Sequence, residues 1–381
     1  MANVRSITVE ELHRRMNSGQ DLMILDVRNE TDYNDWKIEG KQLKSINTPY
    51  FLFLEEDESL YTDLPKDTEI IVLCAKGGSS EFVAEQLLEK GYNTVHLEGG
   101  MLAWSQFYHP TIVTMDDNMK LIQVNRFSKG CLSYAVVSGG KGMIVDPSQN
   151  IEVYLDLAKQ HDFTIEHVVD SHLHADHISG GRPLAERTGA SYYISSGEAK
   201  GTAIQFKPLE QLNRIRVGDI DVEVLAIPTP GHTPGSTSFL VDNRFLLSGD
   251  TIFVGGLGRP DLGGKAKEWA EDLYDTVFHT LKDLPDDCLV LPAHYADIQE
   301  INDNGVVGAT LGDIVRSNDM MRNADRKTFT EQVASAASSE KPPNFEEIIA
   351  INRGELRVDA EKAIELEIGP NRCAVHHMTE S

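Results

Sequence analysis

Over residues 1–110 the apolar positions come in short solid runs, Leu22–Val27, Glu69–Leu73 and Thr94–Leu97, separated by stretches with helical spacing. A solid apolar run bounded by turn residues reads as a strand buried on both faces. Thr8-Val9-Glu10-Glu11 has the form of a capping box and opens a helix that Gly19 ends. Ala84, Leu87 and Leu88 share one face of another helix, stopped by Gly91. Strands alternating with helices predict a largely parallel sheet. Beyond Met119 the pattern changes. Met119–Val124, Leu132–Ser138 and Gly142–Val145 predict consecutive strands, Ile151–Gln160 a helix, His167–Val169 the end of a strand, and Gly180–Arg187 a helix stopped by Gly189. Phe239–Val241 and Phe245–Leu247 flank Asp242-Asn243, a hairpin turn. Residues 305–339 carry weak helix patterns, one opened by Thr328-Phe329-Thr330-Glu331, and Lys341-Pro342-Pro343 breaks the chain before a polar tail. The expectation is two α/β domains, 1–110 and 119–381, joined by a short connection around residues 108–120.

Composition narrows the function classes. A chain of 381 residues is longer than a usual single domain, and 40% hydrophobic residues are ample for its cores. The formal charge of −25 argues against non-specific nucleic-acid binding and against an anionic membrane surface. Met1–Ile7 lacks an apolar leader region, and no run is long enough to span a bilayer. Cys74, Cys131, Cys288 and Cys373 are scattered without a pairing pattern, which fits reduced thiols in the cytoplasm. A homo-oligomer is left open.

The densest chemistry lies in Ser171-His172-Leu173-His174-Ala175-Asp176-His177-Ile178-Ser179-Gly180-Gly181, directly after the apolar His167–Val169 run. A packed core would leave several imidazole nitrogens unmet, at roughly 1–3 kcal/mol each. A metal satisfies them at once, because neutral imidazole and carboxylate are ordinary ligands for zinc or iron. Neighbouring residues alone cannot surround an ion, and three later stations supply the rest: His232 on a Pro/Gly-stiffened loop, Asp250 after Leu246-Leu247-Ser248-Gly249, and His294 after Leu289–Ala293. The His-x-His-x-Asp-His pattern with these stations resembles the metallo-β-lactamase superfamily, which implies an αββα sandwich.

In the first domain Cys74 sits on a strand-to-helix turn, Cys74-Ala75-Lys76-Gly77-Gly78-Ser79-Ser80, at the edge where open α/β sheets bind ligands. A thiolate there gains from the helix dipole, and Gly77 and Gly78 let backbone N–H groups cradle an anion such as a persulfide. With Leu25-Asp26-Val27-Arg28 and Leu97–Trp104, this half resembles the rhodanese sulfurtransferases, with their parallel sheet. That resemblance makes Cys74 the catalytic sulfur carrier and Lys76, Gly77 and Gly78 its cradle. The Arg usual near the end of the loop is replaced by Ser79, removing one cationic contact for an oxyanion such as thiosulfate.

Ligand counting leaves two metal centres open. His172, His174, Asp176, His177, His232, Asp250 and His294 suffice for two zinc or iron ions bridged by Asp250, as in the glyoxalase II hydrolases. They equally allow one Fe(II) on His172, His232 and Asp250, a two-His, one-carboxylate triad, with His174, Asp176, His177 and His294 around it. The stretch Gly249–Asp261 is similar to the persulfide dioxygenase version of the motif, with Arg259 in the substrate-contacting position, and Asn371-Arg372-Cys373-Ala374 resembles that family's cysteine-bearing tail. The resemblance implies a small thiol persulfide, such as that of glutathione, and O2 as substrates, with sulfite or thiosulfate as products and sulfane-sulfur exchange at Cys74. The rivals are a dinuclear hydrolase of a thioester or lactone, and a non-enzymatic sulfur sensor or carrier. Asp297 follows His294 three positions on, where an acidic residue more usually follows directly.

Overall fold

The solid apolar runs of the N-terminal half form a five-stranded, all-parallel sheet in the order Arg5–Ile7, Thr94–Leu97, Ile70–Leu73, Leu22–Asp26, Leu43–Asn47. The computed structural model describes residues 4–370 apart from 56–57, 63, 213, 219–221, 261–263 and 337–342. Two compact units divide these residues, one built mainly from the chain up to Phe107 and the other mainly from Tyr108–Glu367. In the first unit Ile24, Ile71 and Val95 pack one face of the sheet with Leu12 and Trp104. Leu25, Val72 and Val83 pack the other. The first helix, Val9–Met16, is capped as expected by Thr8, whose side chain accepts the Glu11 N–H. The Glu11 carboxylate is turned instead to Arg14 and Arg15.

The second unit stacks a seven-stranded sheet and a six-stranded one. The first runs Lys207–Pro208, Ser191–Ile194, Thr164–Val169, Lys141–Val145, Cys131–Ser138, Lys120–Arg126, His109–Met115. The second runs Ile215–Val217, Val222–Pro228, Thr237–Val241, Phe245–Gly249, Leu289–Pro292, Ala309–Thr310. Helices Glu152–Gln160 and Gly181–Thr188 cover one sheet through Tyr154, Leu157, Leu184 and Ala185 packed on Ile144, Ile165 and Val168. Helices Ala266–Asp275, Leu311–Ser317 and Arg326–Ala336 cover the other through Leu273, Ile314 and Phe329 packed on Leu246 and Val290. This is the expected helix–sheet–sheet–helix layering. Asp242 and Asn243 take φ of 49° and 53°, the positive pair of a hairpin turn, and set Val241 opposite Phe245.

Three expectations are corrected. Residues 109–115 are not a connection but an antiparallel strand paired with Lys120–Arg126. The helix expected to open at Thr328 begins at Arg326, because Asp325 accepts the Lys327 and Thr328 N–H groups. The tail after Pro343 folds into helices Phe345–Asn352 and Ala360–Leu366. Among the described residues no helix is long and apolar enough to cross a membrane.

Candidate metal centre

Each ligand-type residue of the second unit stands in the chain that follows a strand. Thr164–Val169 runs out into the loop that carries His172, His174, Asp176 and His177 before helix Gly181–Thr188. The loop backbone is held by side chains. Asp146 Oδ1 accepts the Ser171 N–H at 2.6 Å, and Glu198 Oε2 accepts the Leu173 N–H at 3.0 Å. Glu198 Oε1 also accepts the Gly235 N–H at 2.7 Å, so one carboxylate ties the His172 loop to the His232 loop. Phe245–Gly249 and Leu289–Pro292 pair in parallel with a register shift between Leu247 and Gly249, and just beyond their ends Asp250 and His294 lie side by side.

The seven residues form three buried groups rather than one. His172, His232 and Asp250 bring one ligand atom each within 4.8 Å of the others. Asp250 Oδ2 lies 3.9 Å from His172 Nε2 and 3.6 Å from His232 Nε2, spacings that suit an ion between them. The far ring nitrogens are occupied, His172 Nδ1 by Ser171 Oγ at 2.9 Å and His232 Nδ1–H by the Arg259 carbonyl at 2.9 Å. That leaves both Nε2 atoms for a metal, the usual way a second hydrogen bond fixes a ligating ring. Asp250 Oδ2 is buried and has no hydrogen-bond partner. Burial and the neighbouring His174 hold the His172 imidazole well below its ordinary pKa, so it is neutral, as a ligand must be. The residues present therefore fit a metal.

The second group is Cys131, Asp176, His177 and His294. His294 Nδ1–H donates to Asp250 Oδ1 at 2.6 Å, and its Nε2 lies 2.9 Å from Asp176 Oδ2. Burial disfavours its charge, but Asp250 and Asp176 outweigh that and push His294 well above the ordinary histidine range. The same contest pushes His177 up to about 10, Asp176 being the neighbour that wins against burial. Asp297 takes no part: it caps the short helix Ile298–Glu300. The third group is His174 with Asp146 and Asp170, its Nε2 3.2 Å from Asp146 Oδ1. His174 Nδ1 is buried without a hydrogen-bond partner.

Sequence reasoning missed several of these. Cys131 reads as structural in the sequence, yet its Sγ lies 3.5 Å from Asp176 Oδ2 inside the second group. Asp146 closes a predicted strand, but nothing local marks it as the partner of His174. Arg259 is buried, and its carbonyl rather than its side chain is what orients His232. Cys373 and its Asn-Arg-Cys-Ala context lie outside the described residues, as does Asp261.

In the first unit Cys74 is buried at the end of Ile70–Leu73, ahead of helix Gly78–Glu89. The Gly77 N–H donates to its Sγ at 3.0 Å, and Gly77 holds φ of 105°, where a side chain would be strained. Lys76 and Gly78 are exposed beside it. The Met101 N–H donates to the Cys74 carbonyl at 2.9 Å, and a Cβ on Gly100 would meet that carbonyl oxygen at 2.2 Å. The Gly99-Gly100-Met101 stretch thus braces the cysteine loop.

Residues 128–294 match the metallo-β-lactamase superfamily and residues 8–107 the rhodanese-like domain. Over 139 residues the chain is 32% identical to the human mitochondrial persulfide dioxygenase ETHE1, covering 36% of this chain and 52% of that one. Over 153 residues it is 32% identical to the hydroxyacylglutathione hydrolase of Anaeromyxobacter dehalogenans, covering 40% of this chain and 58% of that one. The crystal structure of ETHE1 from Myxococcus xanthus superposes with a TM-score of 0.53 at 26% identity, covering 61% of this chain and 98% of that one. The chain spans little more than half the length of the two curated relatives. Dioxygenase and hydrolase relatives are equally similar, so identity does not choose between the two chemistries.

Proposed function

The chain belongs to the metallo-β-lactamase superfamily through residues 128–294 and carries a rhodanese-like domain at residues 8–107, and from that premise we propose that it is an iron-dependent persulfide dioxygenase with a sulfurtransferase domain. Residues 119–381 would oxidise a small thiol persulfide, and residues 1–110 would pass sulfane sulfur through Cys74. The observation that carries this reading is how Asp250 divides its oxygens. Oδ2 faces His172 and His232, while Oδ1 accepts the Nδ1–H of His294 at 2.6 Å. With Oδ1 engaged by His294, Oδ2 is the oxygen turned toward the two imidazoles, which supports a single ion held on Oδ2. Two nitrogens and one carboxylate around a single point are the donor set of mononuclear iron oxygenases.

In overall balance one persulfide, one O2 and one water give one free thiol, one sulfite and two protons. His172, His232 and Asp250 would hold a ferrous ion, which when bound would supply the redox chemistry toward O2 that no side chain provides. The chain's own residues orient and screen. The Arg259 carbonyl and Ser171 Oγ engage Nδ1 of the two imidazoles and leave their Nε2 atoms facing Asp250 Oδ2. The Arg259 guanidinium would pair with an anionic part of the thiol carrier. His174 lies beside the triad, its Nε2 3.2 Å from Asp146 Oδ1. In the first domain the Cys74 thiolate would attack the outer sulfur of a persulfide or of thiosulfate. The new S–S bond forms as the old one breaks, the donor leaves as thiolate or sulfite, and the Gly77 N–H steadies the sulfur.

A second reading has its own observation. Cys131, Asp176, His177 and His294 could hold a second ion, which with the hydrolase relative keeps thioester or lactone hydrolysis in play. Metal analysis of two variants separates the readings. His232→Ala should lose the iron and all O2 uptake, while His177→Ala should keep much of the iron. Equal loss in both would make the dinuclear hydrolase the better account.

A further inference from the structure

Residues 345–366 lie beyond the stretch that matches the superfamily, yet they reach the metal loop. Ile348, Ile351, Ala363 and Leu366 form a small core with Ile178, the residue after His177. The end of the first helix puts Asn352 against the loop backbone, 8% exposed. Its Nδ2 donates to the carbonyls of His174 at 2.8 Å and His177 at 2.9 Å, and its Oδ1 accepts the Ser179 N–H at 2.9 Å. Glu367, just after the second helix, accepts the Ile178 N–H.

A carboxamide has two N–H donors and one carbonyl, and here all of them are spent on the backbone flanking Asp176 and His177. No side chain of similar volume repeats this. Aspartate has no donors, and leucine has neither donors nor acceptor. The loop contains no helix or strand between 170 and 180 to satisfy these groups itself. Each buried carbonyl left unmet would cost roughly 1–3 kcal/mol, so the loop would turn to find another partner. Turning the peptides at 174 and 177 moves the side chains of His172–His177, which are the ligands and their supports.

We propose that Asn352 is a positioning residue for the metal centre, fixing the loop that presents His172, His174, Asp176 and His177. The proposal rests on the reading of that loop as metal-binding, but not on which metal it holds.

The test uses the full chain as Asn352→Ala and Asn352→Asp, with Fe2+ and Zn2+ affinities measured by competition against a chromophoric chelator. The visible spectrum of the Co2+-loaded protein reports ligand geometry, and melting of the metal-free protein reports the fold. Both variants should bind Fe2+ and Zn2+ roughly 10–100-fold more weakly, the usual effect of removing a group that orients metal ligands. Both should shift the Co2+ bands. Asn352→Asp should be at least as damaging, because it turns acceptors toward two carbonyls. Ile348→Ala, which loosens the same helix without touching the amide, should lower the melting temperature and leave the Co2+ bands in place. Unchanged affinity and bands in Asn352→Ala would overturn the proposal. So would an equal band shift in Ile348→Ala, which would assign the effect to helix docking in general. Failure of the unaltered chain to take up either metal would remove the premise, and the proposal with it.

Discussion

His294→Ala is the substitution on which the mononuclear and dinuclear accounts differ most. His294 is fully buried, with Nδ1–H donated to Asp250 Oδ1 at 2.6 Å and Nε2 2.9 Å from Asp176 Oδ2. Two ligands about 2.1 Å from one ion stand roughly 3 Å or more apart in ordinary coordination, so Nδ1 and Oδ1 as placed do not share an ion. On the mononuclear account the ring is an imidazolium held between two carboxylates. Its removal leaves Asp250 and Asp176 buried without their cation, which should destabilise the metal-free protein by roughly 3–5 kcal/mol. Iron affinity should suffer only through the lost orientation of Asp250, by about 10–100-fold, or roughly 1.4–2.7 kcal/mol. Chemical denaturation of the metal-free variant measures the first quantity and chelator competition the second. Added imidazole should restore part of both by filling the space left behind. The account fails if the metal-free variant is as stable as the parent while bound metal falls from two ions per chain to one. That result would make His294 a ligand.

Two further outcomes follow from separate parts of the molecule. Cys74→Ser should leave O2 uptake with a small persulfide nearly intact and abolish thiosulfate-driven uptake, measured on one preparation; loss of neither would make the first domain a passenger, and equal loss would put Cys74 on the route to the metal. The metal-free protein should melt at lower temperature as pH rises from about 6.5 to about 10, because His177 is pushed up to about 10. A pKa raised on folding contributes stability that is complete below the unfolded value and lost through the folded one, and His294 shifts in the same direction. A melting temperature that is flat or rising across that window would contradict the placement of both rings beside Asp176.

How much was legible beforehand depended on whether a residue's role is local. Asp250 and His294 were readable because each ends a solid apolar run, and a strand end projects its next residue into the space beyond the sheet. Cys131 was not readable. It comes from the start of a strand far from Asp176 and His294 in the chain, and only folding brings the thiol among them. Strand His109–Met115 was hidden by Pro110 and by exposed Ile112 and Met115, and such a strand is tolerated because it forms the sheet edge. Asn352 and Glu367 act on backbone groups, which leave no side-chain pattern to match. The helix that carries Asn352 did have a signal, Ile348 and Ile351 at helical spacing, but the acidic residues around it make the stretch read as polar. Asp325 took the capping role from Thr328 by accepting two N–H groups where the helix begins two residues earlier.

The central claim is that this centre uses O2 to oxidise a persulfide, and one measurement bears on it directly. The purified protein, with iron quantified in the same sample, is given glutathione persulfide in an oxygen electrode, and sulfite is assayed at the end. The account predicts about one iron per chain and equal amounts of O2 consumed and sulfite formed, as a mononuclear oxygenase centre requires. Two metal ions per chain, no O2 consumption and hydrolysis of a glutathione thioester would contradict it.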